Sequence, residues 1–217
     1  MYPTDPFEAD DDVRFWRNVV LIFVAAFIAA VVIICLLYPR PSSALGGGPG
    51  RTLEQRVEVL SQKAEALSYL YEEDILLAEE YRRLGGIAKI HNPNLTAAEV
   101  YEIGRAVHTH SEAAGLTPHL ILAVLIVESR GDIYAVSPKG ALGLMQVMPW
   151  WFAELGIEGD PFVIDTNVEA GVKILSANIE RWGFEEGVHR YFWGTKETSS
   201  KEYLAKVLKT MEEIKHG

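Results

Sequence analysis

"PHLILAVLIVES", Pro118 to Ser129, is apolar on nearly every helical face, and its one acid is Glu128. A helix that is hydrophobic all round must be buried. Twelve residues fall well short of the ~20 that a bilayer-spanning helix needs. The segment therefore predicts the central, buried helix of a compact domain. Thr117 precedes it as an N-cap, and Pro118 takes the first helical position. Gly131 predicts its end.

Outward from this helix, the signals are helical throughout. Thr96 and Glu99 form a capping-box pattern, with Leu95 and Val100 placed as a hydrophobic staple, and Gly115 stops that helix. Thr166 with Glu169, and Ser199 with Glu202, repeat the capping-box spacing ahead of two more helices; Gly183 ends the first of these. No convincing strand pair and no internal repeat is present. Residues 95–217 predict an all-α domain, long enough to bury a core of its own.

Upstream, "VVLIFVAAFIAAVVIICLLY" at 19–38 holds no charged residue and has the length of a single transmembrane helix. A cleaved signal peptide is the rival reading, with "SSA" at 42–44 as a loose cleavage signal, although the apolar run is long for one. Arg14 and Arg17 favour a short cytoplasmic N-terminus, 1–18. The rest of the chain would then lie on the periplasmic side of a cell inner membrane. Residues 39–50, "PRPSSALGGGPG", read as a tether. Over 51–86, Leu53, Val57, Leu60, Ala64, Leu67 and Tyr71 recur at alternating spacings of four and three, until Asp74 interrupts the seam. This predicts an amphipathic or coiled-coil helix, which would either fold onto the rest of the chain or offer a face to a second copy or to a secretion-machinery partner. "LGG" at 84–86 reads as its end.

The 217 residues carry a net charge of −10 and one cysteine, Cys35, inside the apolar run. That balance argues against a nucleic-acid partner, and one cysteine gives no disulfide framework. His108 and His110 are two residues apart, which does not place them on one helical face, so no metal is expected.

Glu128 is the chemical signal. Carried on an apolar helix, its carboxyl is desolvated, which raises its pKa and suits a general acid. Asp132 would face it only if the helix continued past Gly131.

Glu128-Ser129, "AVSPKGALGLMQVMP" at 135–149, "RYFWG" at 190–194 and "EYLAKVL" at 202–208 resemble the soluble-type lytic transglycosylases, which share the goose-type lysozyme fold. The resemblance implies a lysozyme-like helical domain that acts on peptidoglycan glycan strands without a cofactor. Glu128 would be acid and then base in cutting the bond between N-acetylmuramic acid and N-acetylglucosamine, leaving a 1,6-anhydromuramic end. By the same resemblance, Ser137 and Gln146 would hydrogen-bond substrate, and Met145 and Met148 would lie beneath sugar rings. Tyr191 would place its hydroxyl near the acid. Phe192 departs from the family, which commonly has Asn there, so a polar contact near the cleaved bond is missing or supplied elsewhere. Trp150, Trp151 and Trp193 could stack on sugars or simply pack. The alternatives are hydrolysis of the same bond by water, as a muramidase does, and a non-catalytic peptidoglycan-binding or scaffold role.

Overall fold

The computed structural model describes residues 53–194 and 200–216. Among these residues seven helices follow in order: α1 Leu53–His91, α2 Ala97–Ala113, α3 Pro118–Ser129, α4 Pro149–Glu154, α5 Ile164–Trp182, α6 Phe184–Trp193 and α7 Glu202–His216. Among the described residues there is no strand, and two isolated bridges, Val136 to Leu142 and Leu142 to Val147, pin the loop between α3 and α4. The all-α expectation holds. The N-terminus 1–18, the apolar segment 19–38 and the tether 39–50 lie outside the described residues. Among those described, no helix is long and apolar enough to cross a membrane.

The α3 helix is the centre of the core. Thr117 accepts the Leu120 N–H on its hydroxyl, Pro118 opens the first turn, and every residue from Leu120 to Ile126 is buried. Each of the large ones contributes roughly 1.5–3 kcal/mol by leaving water. The helices α2 and α7 pack against α3, and α5 packs against both α2 and α6. Asp165 in the first turn of α5 joins it to α2, receiving Arg105 at 3.1 Å and His110 at 3.3 Å.

Helix α1 corrects the expected boundary at 84–86. It runs through Gly85 and Gly86 to His91. Glycine weakens a helix by about 1 kcal/mol relative to alanine, yet here the missing side chain serves a contact. A Cβ on Gly85 would collide with the Val100 carbonyl, and one on Gly104 would collide with the Tyr81 carbonyl. Two glycines thus let α1 and α2 cross backbone to backbone. Leu84 and Ala88 are completely buried in the core, so the domain starts before the expected Leu95. From Leu70 onward the chain forms one compact unit. In the part of α1 before that point, the seam residues Val57, Leu60 and Leu67 are exposed.

The caps divide in a telling way. The Thr96–Glu99 box is complete, with Leu95 and Val100 both buried beside it. The box expected at Thr166 and Glu169 does not form. Asp160 has already turned the chain, accepting the Phe162 N–H on its side chain and the Val163 N–H on its carbonyl, so α5 begins at Ile164. Glu169 pairs instead with Lys173 at 2.7 Å. Ser199 lies outside the described residues, while the Glu202 N–H reaches the Ser200 hydroxyl at 3.4 Å.

Candidate active site

Glu128 sits in the last turn of α3, and Ser129 explains how the chain leaves that turn. The Ser129 hydroxyl donates to the Leu125 carbonyl and accepts the Gly131 N–H, both at 3.1 Å. Arg130 adopts the left-handed conformation (φ 55°, ψ 30°) and Gly131 follows at φ 79°. The helix therefore stops at Ser129 and the acid is held at its rim. Asp132 does not join Glu128. It is exposed, and its carboxylate accepts the Tyr134 N–H at 2.9 Å.

Among the described residues, the Glu128 carboxylate accepts one hydrogen bond, from the Tyr203 hydroxyl on α7, at 2.7 Å. Burial pushes its pKa from 4.5 up to about 7, and the Tyr203 bond acts in the opposite direction. Tyr203 is only 5% exposed. Burial and the neighbouring Glu128 charge hold its own pKa well above 10, so it remains a donor throughout the working pH range. Sequence reasoning passed over Tyr203. Its signal was slight, an aromatic on the apolar face of an amphipathic closing helix.

The loop before α4 is clamped rather than free. Within it, Leu142 and Val147 exchange backbone hydrogen bonds at 2.9 and 3.0 Å, and the Gly143 N–H meets the Ala135 carbonyl at 2.8 Å. Gln146, in a left-handed conformation with φ 50°, donates its side-chain amide to the carbonyls of Ala135 (3.1 Å) and Gly143 (3.0 Å). Ser137 accepts the Ala141 N–H on its hydroxyl at 3.0 Å. Both polar residues expected to meet substrate thus first hold the loop's shape.

Met145 is a correction. Its side chain is completely buried and packs where a Cβ on Gly171 would otherwise be, so it supports the loop from beneath and offers no face to a sugar. Its backbone is gripped from two sides. Asn167 on α5 accepts the Met145 N–H at 2.8 Å, and the Tyr191 hydroxyl donates to the Met145 carbonyl at 2.7 Å. Asn167 also donates to the carbonyls of Leu142 and Pro161, each at 2.9 Å, and is 1% exposed. Gly143 lies directly against that amide at φ 72°, where a side chain would both strain the backbone and strike Asn167. Asn167 was another residue that sequence reasoning missed.

Met148 is half-buried at the start of α4. Tyr191 sits close enough for the Glu128 charge to help burial raise its pKa well above 10, but its hydroxyl is committed to the loop. Trp150 is exposed, whereas Trp151 packs against the core. His108 and His110 go separate ways, one edge-on to Tyr81 and the other to Asp165. Among the described residues no cluster of histidine, cysteine or acid has the makings of a metal site. A concavity of about 400 Å³ lies beside Arg130, Asp132 and Tyr134 and does not include Glu128.

A glutamate that burial keeps protonatable near neutrality, half-buried at the end of a core helix and hydrogen-bonded by a tyrosine, suits a general acid. Over residues 105–210 the chain matches the family model described as the transglycosylase SLT domain. It is 33% identical over 106 residues to a transglycosylase of Enterobacteria phage PRD1, an alignment covering 44% of this chain and 38% of that protein. It is 32% identical over 75 residues to a probable transglycosylase IsaA of Staphylococcus aureus, covering 34% and 29%. The chain thus spans well under half the length of these relatives. Among solved structures, it is similar to an inactive mutant of lytic transglycosylase Slt from Pseudomonas aeruginosa. That match has a TM-score of 0.36 and 20% identity, and covers 51% of this chain and 22% of that one.

Proposed function

We propose that this chain is a peptidoglycan lytic transglycosylase with Glu128 as its acid and base. The observation that carries the reading is the carboxyl itself. Burial sets its pKa near 7, one phenol hydrogen-bonds it, and the acid nearest in sequence, Asp132, is engaged elsewhere. Glycosidases mostly need two carboxylates. A muramyl substrate brings its own participating N-acetyl group and its own hydroxyl, so one carboxyl suffices. Glu128 gives its proton to the bridging oxygen between N-acetylmuramic acid and N-acetylglucosamine as the C1–O bond breaks. The N-acetyl oxygen stabilises C1. The C6 hydroxyl then bonds to C1 and returns its proton to Glu128, closing the 1,6-anhydro ring. The helical architecture is consistent with a lysozyme-like fold. Ser137, Gln146, Met148 and Tyr191 line or support the glycan site in this reading.

Residues 19–38 would anchor the enzyme as a single pass in the inner membrane, with the domain on the periplasmic side; their uncharged length supports this. The seam over 51–86 would serve a second copy or a secretion-apparatus component. Purified chain and Glu128→Gln are compared on murein sacculi, with mass spectrometry of the soluble products. The native chain should release anhydromuramic ends and the variant none. Equal clearing by both removes Glu128 from the chemistry, and hydrolysed reducing ends in place of anhydro ends make the enzyme a muramidase.

A further inference from the structure

Phe192 on α6 lies flat on Tyr203, with ring centroids 4.9 Å apart and planes 16° from parallel. Trp193 meets it edge-on at 5.0 Å and 86°. The two partners differ sharply in exposure: Tyr203 is 5% exposed and Phe192 is 51% exposed. A flat ring has two faces, and the stack on Tyr203 uses one. The ring, held in orientation by these two aromatic contacts, stands over the phenol that hydrogen-bonds Glu128, and about half of the residue is left to water. An aromatic ring exposed in this way suits a partner with a flat apolar face. A pyranose ring presents such a face in its axial C–H groups. An asparagine at this position could offer a sugar a hydrogen bond but no stacking surface.

We propose that the open face of Phe192 is a sugar-stacking platform, taking a pyranose ring of the glycan strand beside the bond that Glu128 cleaves. The proposal rests on the glycan-cleaving function above and names how that site holds its substrate. It accounts for the departure from Asn: a directional polar contact is exchanged for a dispersive one that tolerates variation in the sugar's hydroxyl groups. Phe192 then has two faces with two roles, one covering Tyr203 and the other meeting substrate.

The test uses the full chain carrying Glu128→Gln, which prevents turnover, and the β-1,4 tetramer of N-acetylglucosamine as probe in titration calorimetry. Adding Phe192→Ala should weaken tetramer binding by roughly three- to tenfold, whereas Phe192→Tyr, which keeps the flat ring, should stay within about twofold. In the chain with Glu128 intact, Phe192→Ala should raise KM on sacculi and leave the alkaline limb of the pH profile in place. Unchanged tetramer affinity in Phe192→Ala, or no binding even with Phe192 present, overturns the platform. So does a loss confined to kcat with a displaced pH limb, which would mean that the ring acts only through Tyr203. These outcomes are separate from failure of the function itself, which shows as sacculus clearing by Glu128→Gln.

Discussion

Removing the Tyr203 hydroxyl should make Glu128 a weaker acid, and the size of the effect follows from one hydrogen bond. Tyr203 donates to the Glu128 carboxylate at 2.7 Å, and this bond lowers a pKa that burial has raised to about 7. A hydrogen bond to a charged group is worth about 1.5–3 kcal/mol, which at ~1.36 kcal/mol per pKa unit corresponds to roughly one to two units. Tyr203→Phe keeps the ring, its burial and the stack with Phe192, so the fold loses only a hydroxyl. In this variant the Glu128 pKa should rise to roughly 8–9. A general acid works in its protonated form, so the alkaline limb of kcat/KM should move up in pH by the same one to two units. The plateau should fall at the same time, by up to about ten- to a hundredfold, because the carboxylate forming in the transition state has lost its donor. Initial rates of sacculus clearing at low substrate give the limb, and carbon-13 NMR of the Glu128 carboxyl gives the pKa directly. An alkaline limb that stays in place, or moves to lower pH, would show that Tyr203 does not stabilise the charged form.

Two further outcomes test the surrounding construction. Glu128→Gln should stabilise the chain only at higher pH. The folded pKa is near 7 and the unfolded one near 4.5, so the native chain keeps its full stability below about pH 4.5 and loses it as pH climbs to about 7. The neutral variant, equal at pH 4, should gain up to roughly 3 kcal/mol at pH 8 in urea unfolding, and equal stabilities at pH 8 would contradict the raised pKa. Asn167→Ala should cost about 3 kcal/mol or more in the same assay, because the Met145 N–H and the carbonyls of Leu142 and Pro161 lose a buried partner. It should also reduce clearing by loosening the Gln146 loop, and a drop below 1 kcal/mol would mean that water replaces the amide.

How far the sequence reaches depends on the range of each interaction. The burial of α3 was legible because seven consecutive apolar residues, Leu120 to Ile126, leave no face for water. The Thr96 and Thr117 caps were legible because donor and acceptor are three residues apart. Thr166 had the same spacing and failed, since Asp160 turned the chain a few residues earlier and the competing signal was the stronger one. Glycine carries two meanings that sequence alone does not separate: Gly115 ends a helix, whereas Gly85 sits inside one so that α2 can approach. The tyrosine on Glu128 lies 75 residues away in the chain, and Asn167 lies 22 from Met145. No periodicity encodes such pairs, because they are made where α5 and α7 dock. The desolvation of Glu128 could be read from its apolar helix, its role came only from the resemblance of the flanking motifs, and the groups that hydrogen-bond and frame it belong to the tertiary structure.

The two tyrosines near Glu128 divide the work in a way that fits the proposed single-carboxyl mechanism. Tyr191 spends its hydroxyl on the Met145 carbonyl and so fixes the loop; Tyr203 spends its hydroxyl on Glu128 and so tunes the acid. Each lies close enough to Glu128 that ionisation of the carboxyl makes the phenol still harder to ionise, so neither competes for the travelling proton. A dedicated nucleophile would need a low pKa and a well-solvated carboxylate, as in sites with two acids. A dedicated acid need only stay protonated at the working pH while remaining a strong enough donor. A residue that must give a proton in one step and take it back in the next is best served by a value near neutrality, where neither transfer is strongly uphill. Burial alone would carry Glu128 past that point, and the one hydrogen bond from Tyr203 brings it back.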